Sequence, residues 1–121
     1  MKVLLDNRVH YKAKSFFVGH QVSHARDMGW RQLTNGELLG EAAKAFDVVV
    51  TTDKKIRYEH NLDRLPLSVV ELNTRFTRLQ DLQTLTPYLE AALNKTAMFR
   101  FISICADCVL EKLSERTPPI R

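Results

Sequence analysis

The chain has 121 residues, 45% of them hydrophobic and 26% charged, with a formal net charge of +4. That balance describes one globular domain, large enough to bury a core without staples. Its 2 cysteines exclude a disulfide-built scaffold, and no apolar run approaches the ~20 residues of a membrane-spanning helix. The opening Met1-Lys-Val-Leu-Leu-Asp6 meets an acid before the apolar stretch of a secretory signal is complete, so the reading is cytoplasmic, with no membrane partner. The positive charge permits a polyanion such as RNA as partner without demanding one.

In chain order, Lys2 to Leu5 is a short apolar run that stops at Asp6, the pattern of a buried parallel strand. Arg8 to Phe17 predicts a short helix packing Val9, Ala13, Phe16 and Phe17, broken at Gly19. Gln21 to Ala25 predicts a weaker second strand, and Asp27 to Thr34 a loop anchored by Met28 and Trp30. Leu38, Leu39, Ala42, Ala43 and Phe46 recur at helical spacing, and Thr34 with Glu37 forms a capping-box signature just before them. Val48 to Thr51 is a β-branched strand that ends in Thr52-Asp53.

Lys54 to Arg64 is polar and basic, a loop or irregular helix, and Leu67 to Leu72 is a strand opened by Pro66. Arg75 to Asn94 is helical through Leu79, Leu82, Leu85, Leu89 and Leu93. Pro87 either kinks that helix or starts a second one in its first turn. Met98 to Ile104 predicts a last strand and Cys105 to Glu115 a terminal helix. The domain is expected to span residues 1–116, with 117–121 as a frayed tail. Strands that alternate with helices imply an α/β fold with a largely parallel sheet.

Topology then gathers the acids. Asp6 follows the first strand and Asp53 follows the valine strand, so both lie at the carboxyl edge of a parallel sheet. A helix returning the chain between parallel strands begins at that same edge, and Glu37 sits in the first turn of one. Open α/β sheets place their ligands at this edge. Clustered carboxylates either raise one pKa or hold a cation, and hard oxygen donors suit Mg²⁺ or Mn²⁺. Each acid also has a local reading. Glu37 can cap its helix and Asp53 can make a turn. Asp6 has no evident turn to serve, and Asp is depleted in strands.

Lys54, Lys55, Arg57, His60 and Arg64 follow Asp53, with Tyr58 among them. The cluster is either a solvated loop or a hold on an RNA backbone. Asn7 and Asn61 can hydrogen-bond a ligand or a metal-bound carboxylate. Cys105-Ala-Asp-Cys108 is a C-x-x-C. It falls too late in the chain for a thioredoxin-like pair, and a zinc site would need two more ligands, for which His20 and His24 are candidates. Partly buried thiols are the simpler reading.

Several segments together resemble a bacterial family of short PIN-like proteins grouped with the toxins of toxin–antitoxin pairs. They are Met1-Lys-Val-Leu-Leu-Asp6, Gly19-His-Gln-Val22, Asp27-Met-Gly-Trp30, Asn35-Gly-Glu-Leu-Leu39, Phe46-Asp-Val-Val-Val-Thr-Thr-Asp-Lys54 and Arg57-Tyr-Glu-His-Asn-Leu62. The resemblance implies a three-layer PIN-like fold and a Mg²⁺- or Mn²⁺-dependent ribonuclease. Asp6, Glu37 and Asp53 would be its catalytic and metal-binding acids, with Asn7, Lys54, Arg57, His60 and Asn61 as substrate contacts. It also implies RNA as substrate and a small antitoxin as partner, while the leucine series from Leu79 to Leu93 is either core or, where apolar residues are left over, a surface for a homodimer. Family members commonly read Asp-Glu-Asn after the first strand, where this chain has Asp6-Asn7-Arg8. PIN nucleases more broadly use four acids, and three stand out here. That gap favours the alternative, a PIN-like module that binds RNA or a protein without catalysis. A nucleotide-handling α/β protein of another family would need a glycine-rich phosphate loop, which the sequence lacks.

Overall fold

The computed structural model describes residues 1–56, 66–97, 101–105 and 108–110. Strands β1 (Lys2–Leu5), β2 (Gln21–His24), β3 (Val48–Thr51), β4 (Ser68–Leu72), β5 (Phe101–Cys105) and β6 (Cys108–Leu110) form one sheet in the order β2-β1-β3-β4-β5-β6. The first five strands are parallel and β6 pairs antiparallel with β5. A 3₁₀ helix (Tyr11–Phe16) links β1 to β2, and helix α1 (Asn35–Ala42) links β2 to β3. Helices α2 (Leu79–Gln83) and α3 (Thr86–Lys95) lie between β4 and β5. The chain is thus an α/β protein with a largely parallel sheet.

The strands are short and apolar because both faces of the sheet are covered. All of β3 is buried, and so are Val3, Leu4 and Leu5 of β1. Alternation divides these side chains between two cores. One face packs Val3, Leu5, Val48, Val50, Val70 and Ile102 against the 3₁₀ helix, α2 and α3. The other packs Leu4, Val49, Val69 and Phe101 against Leu38, Leu39 and Ala42 of α1. Each fully buried leucine or isoleucine contributes roughly 1.5–3 kcal/mol, so these two layers carry most of the driving force. The leucine series is core: Leu82, Leu85, Leu89 and Leu93 are buried, and Leu79 packs against them half-buried.

Most element predictions hold. The 3₁₀ helix ends at its C-cap Phe17, and Gly19, with φ +88°, takes a left-handed conformation that turns the chain into β2. Pro87 sits at the first turn of α3, so the Arg75–Asn94 stretch is two helices, not one. Phe46 lies beyond α1 and still packs on its core, edge-on to Trp30 with ring centroids 6.2 Å apart. Met28 is exposed, and Trp30 with Leu33 packs the loop onto the core.

The terminal helix over Cys105–Glu115 is corrected at its start. Residues 108–110 are a strand, with Cys105 opposite Cys108, Ile104 opposite Val109 and Ser103 opposite Leu110. The open edge of β5 offers backbone partners that a helix could not use, and Val109 suits a strand. Residues 111–121, including the expected tail, lie outside the described residues.

Candidate functional site

In a parallel sheet of this order, the crevice outside the strand ends falls where the winding reverses, between β1 and β3. Asp6 and Asp53 stand there. The Asp6 backbone N–H donates to the Val50 carbonyl at 3.0 Å, extending the ladder by one residue. Its carboxylate is then held on both sides. The Arg8 backbone N–H donates to Oδ1 at 3.0 Å, and the Thr51 hydroxyl donates to Oδ2. The Asp53 carboxylate is clamped likewise: the Asn35 amide donates to Oδ2 at 2.7 Å and the Lys55 backbone N–H to Oδ1 at 2.9 Å.

Thr51 ties the two acids together. Its hydroxyl donates to Asp6 and accepts from the Asp53 backbone N–H at 3.0 Å. Each acid also closes a turn onto the backbone two residues ahead, a common Asp habit. The turn expected at Asp53 is present, and Asp6 makes one too, which its flanking residues did not announce.

The pair is buried, with Asp6 1% and Asp53 7% exposed. Burial pushes the Asp6 carboxyl up from 3.8 to about 6. The hydrogen bonds from Thr51 and Arg8 resist that rise, and the charge of Asp53 adds to it. Arg8 is the cation at hand. Its Nε lies 3.8 Å from Asp53 Oδ2, while its side chain remains 64% exposed. An exposed ion pair at that distance is weak, so Arg8 can leave Asp53 for a competing anion at little cost.

Glu37 has a different occupation. Its carboxylate accepts from the Thr34 backbone N–H at 2.9 Å, while its own N–H donates to the Thr34 hydroxyl at 3.2 Å. This is the complete capping box. Those bonds hold the carboxyl of Glu37 below its usual range, and the side chain is exposed. Among the described residues, no three side chains of His, Cys, Asp and Glu form a group able to hold a metal ion. Of the three expected acids, Asp6 and Asp53 are linked through Thr51, Glu37 is engaged in its helix cap, and Asn35 is the side chain bonded to Asp53.

Of the expected substrate contacts, Asn7 and Lys54 are exposed at this edge, and Asn7 donates to the Trp30 carbonyl at 3.0 Å. Arg57, His60 and Asn61 lie outside the described residues. Next to Asn7 a recess of about 370 Å³ is lined by Val9, Tyr11, His24, Arg26 and Arg31. The Arg26 guanidinium stacks 4.2 Å from the Tyr11 ring centroid. The pair of acids is thus flanked by exposed cations.

Sequence reasoning missed the polar row beside the pair. Thr51 of β3 is in register with Glu71 of β4, and Glu71 with Ser103 of β5. All three are buried, and Ser103 donates to Glu71 at 2.7 Å. The available signal was three polar residues at matching positions in three apolar strands, but register is not visible in one sequence.

The zinc alternative fails on topology. β2 and β5 are separated by β1, β3 and β4, roughly 19 Å at one strand spacing each, so His24 cannot meet Cys105. His24 is satisfied where it stands. Nδ1 accepts from the Arg26 N–H at 3.0 Å, so the proton sits on Nε2, 2.8 Å from the Val9 carbonyl. His20 Nε2 lies 2.9 Å from Glu90. Among the described residues no helix is long and apolar enough to cross a membrane. No protein-family model, curated protein or solved structure matches the chain.

Proposed function

We propose that the chain is a PIN-like, Mg²⁺- or Mn²⁺-dependent ribonuclease whose working groups are Asp6 and Asp53. One observation carries the reading: two buried acids at the winding reversal of a parallel sheet, with the Thr51 hydroxyl joining the Asp6 carboxylate to the Asp53 backbone N–H. The donors fit a hard divalent ion. Carboxylate, hydroxyl and amide oxygens of Asp6, Asp53, Thr51 and Asn35 are the ligand types such ions take, and the burial that raises the Asp6 carboxyl, with the charge of Asp53 adding to it, is a setting in which a cation favours the ionised form. Asp6 and Asp53 would hold the ion. When bound, it supplies charge neutralisation at the phosphodiester and acidifies a water. Arg8 and Lys54 would hold the phosphate and offset the charge that builds there. Acting on RNA in the cytoplasm as a toxin is an extension of the same reading, and a small antitoxin covering this edge would silence it.

A second reading has its own support. With Glu37 committed to its cap, two acids remain where PIN nucleases use more, which suits a PIN-like module that binds RNA or a protein without cleaving. The deciding experiment incubates the protein with single-stranded and structured RNAs in Mg²⁺, Mn²⁺ or EDTA, beside Asp6→Asn and Asp53→Asn. Cleavage that needs the ion and both acids supports the nuclease. Cleavage surviving EDTA or both substitutions sinks it, and binding without cleavage in every condition favours the second reading.

A further inference from the structure

Just after β4, at the same edge of the sheet, Asn73, Thr74, Arg75 and Phe76 line a recess of about 230 Å³ with Asp81 and Thr84 of the α2 region. It is smaller than the ~300–1,000 Å³ of a small-molecule pocket, and suits one flat ring. Phe76 is 52% exposed, so its ring is open to solvent at the recess. Two guanidiniums attend the ring, Arg75 at 5.3 Å and Arg78 at 5.2 Å from its centroid. Arg78 is bound to Asp81, with Nε 2.8 Å from Oδ2, and this fixes it beside the ring.

A third observation is independent of these. The hydroxyl of Thr74, which lines the recess, is buried and has no hydrogen-bond partner among the described residues. Native proteins pair nearly all such groups. An aromatic face, an orphaned hydroxyl and an arginine at the rim are together what a base and its phosphate require.

We infer that this recess is a nucleobase site, in which one unpaired base of single-stranded RNA stacks on Phe76 and hydrogen-bonds Thr74, while Arg75 meets its phosphate. β4 neighbours β3, so a strand seated here runs on toward Asp53. The inference rests on RNA being the partner of the acidic edge, and it names how that RNA is gripped. Single strands are favoured because a base inside a duplex cannot offer its face. The Thr74 hydroxyl is buried, so the recess must open for a base to reach it.

The test uses a fluorescently labelled ten-nucleotide single-stranded RNA, its binding followed by anisotropy in EDTA so that cleavage plays no part. Phe76→Ala, at an exposed position that leaves the fold intact by circular dichroism, weakens binding about tenfold or more. Phe76→Trp keeps binding, and the new indole is quenched as the RNA is added. Arg75→Gln lowers the slope of log affinity against log salt by about 0.7. The same sequence as a duplex, and AMP alone, bind more weakly than the single strand. Equal affinity for wild type and Phe76→Ala, or no binding by the folded wild-type chain, overturns the inference. If Phe76 matters for binding but no ion supports cleavage, the base site stands and the nuclease reading falls. If cleavage occurs and Phe76→Ala leaves kcat/KM unchanged, the reverse holds.

Discussion

Asp6 and Glu37 belong to the same edge of the same sheet, one following a strand and the other opening a helix, yet they live in different chemistry. Asp6 is buried, shares Thr51 with Asp53, and has its carboxyl pushed up to about 6 by burial. Glu37 is exposed and spends its carboxylate on Thr34, which holds its pKa below the usual value. Topology brings acids to an edge. Local hydrogen bonds decide whether they join a site. A carboxylate already paired to its own helix has little reason to seek a cation, whereas a buried one near a second negative charge gains from any positive neighbour.

The comparison breaks most visibly in activity. Asp6→Asn and Asp53→Asn are expected to lower Mg²⁺-dependent RNA cleavage by about a hundred- to a thousandfold, the usual scale for losing one electrostatic group at a reacting phosphate. A comparable loss in Glu37→Gln would show that the cap opens and Glu37 works with the pair after all.

Stability against pH is the next largest effect. Because the folded-state pKa of Asp6 lies above its unfolded value of 3.8, the folded chain binds the proton more tightly. Its stability therefore falls as pH rises from about 4 through 6, by roughly 3 kcal/mol in total. Urea unfolding across that range is expected to show this decline in the wild type and to lose it in Asp6→Asn. Asp27 works in the opposite sense. Hydrogen bonds from Lys14 and Tyr11 hold its carboxyl well below the usual range, so its contribution is lost only in stronger acid, as pH falls below the ordinary carboxylate pKa.

Smaller effects sharpen the other side of the comparison. Thr34→Ala removes the hydroxyl that caps α1 and is expected to cost about 1 kcal/mol in chemical denaturation. Its cleavage rate should stay near wild type. Smallest is Glu37→Gln, which keeps a hydrogen-bond acceptor for the Thr34 N–H. Cleavage is expected to change by less than about threefold, measured beside the aspartate variants.

Much of this was legible in the residues because it is local. Apolar runs stopping at Asp6 and Asp53 placed two strands and their edge, and the spacing of Thr34 and Glu37 announced a capping box that the structure contains in full. Pro87 left a kink or a helix start open, and the structure has the start. What escaped the sequence depends on partners far along the chain. Thr51 reaches Asp6 across 45 positions and Asn35 reaches Asp53 across 18, so neither could be assigned before strand order was known. The same holds for Glu71 and Ser103, which meet only through register. The strand at Cys108–Leu110 was missed because its reason is the open edge of β5, not its own composition.

The account turns on whether Asp6 and Asp53 act as one cation-seeking pair. Its most direct test is to follow the Asp6 side-chain carboxyl by carbon NMR through a pH titration, with and without Mg²⁺. The account predicts a midpoint near 6 in the absence of the ion and a fall of more than about one unit when Mg²⁺ is added, an opposite charge favouring the ionised form, with Glu37 unmoved. A midpoint that Mg²⁺ leaves unchanged, or one that shifts only at Glu37, would contradict it.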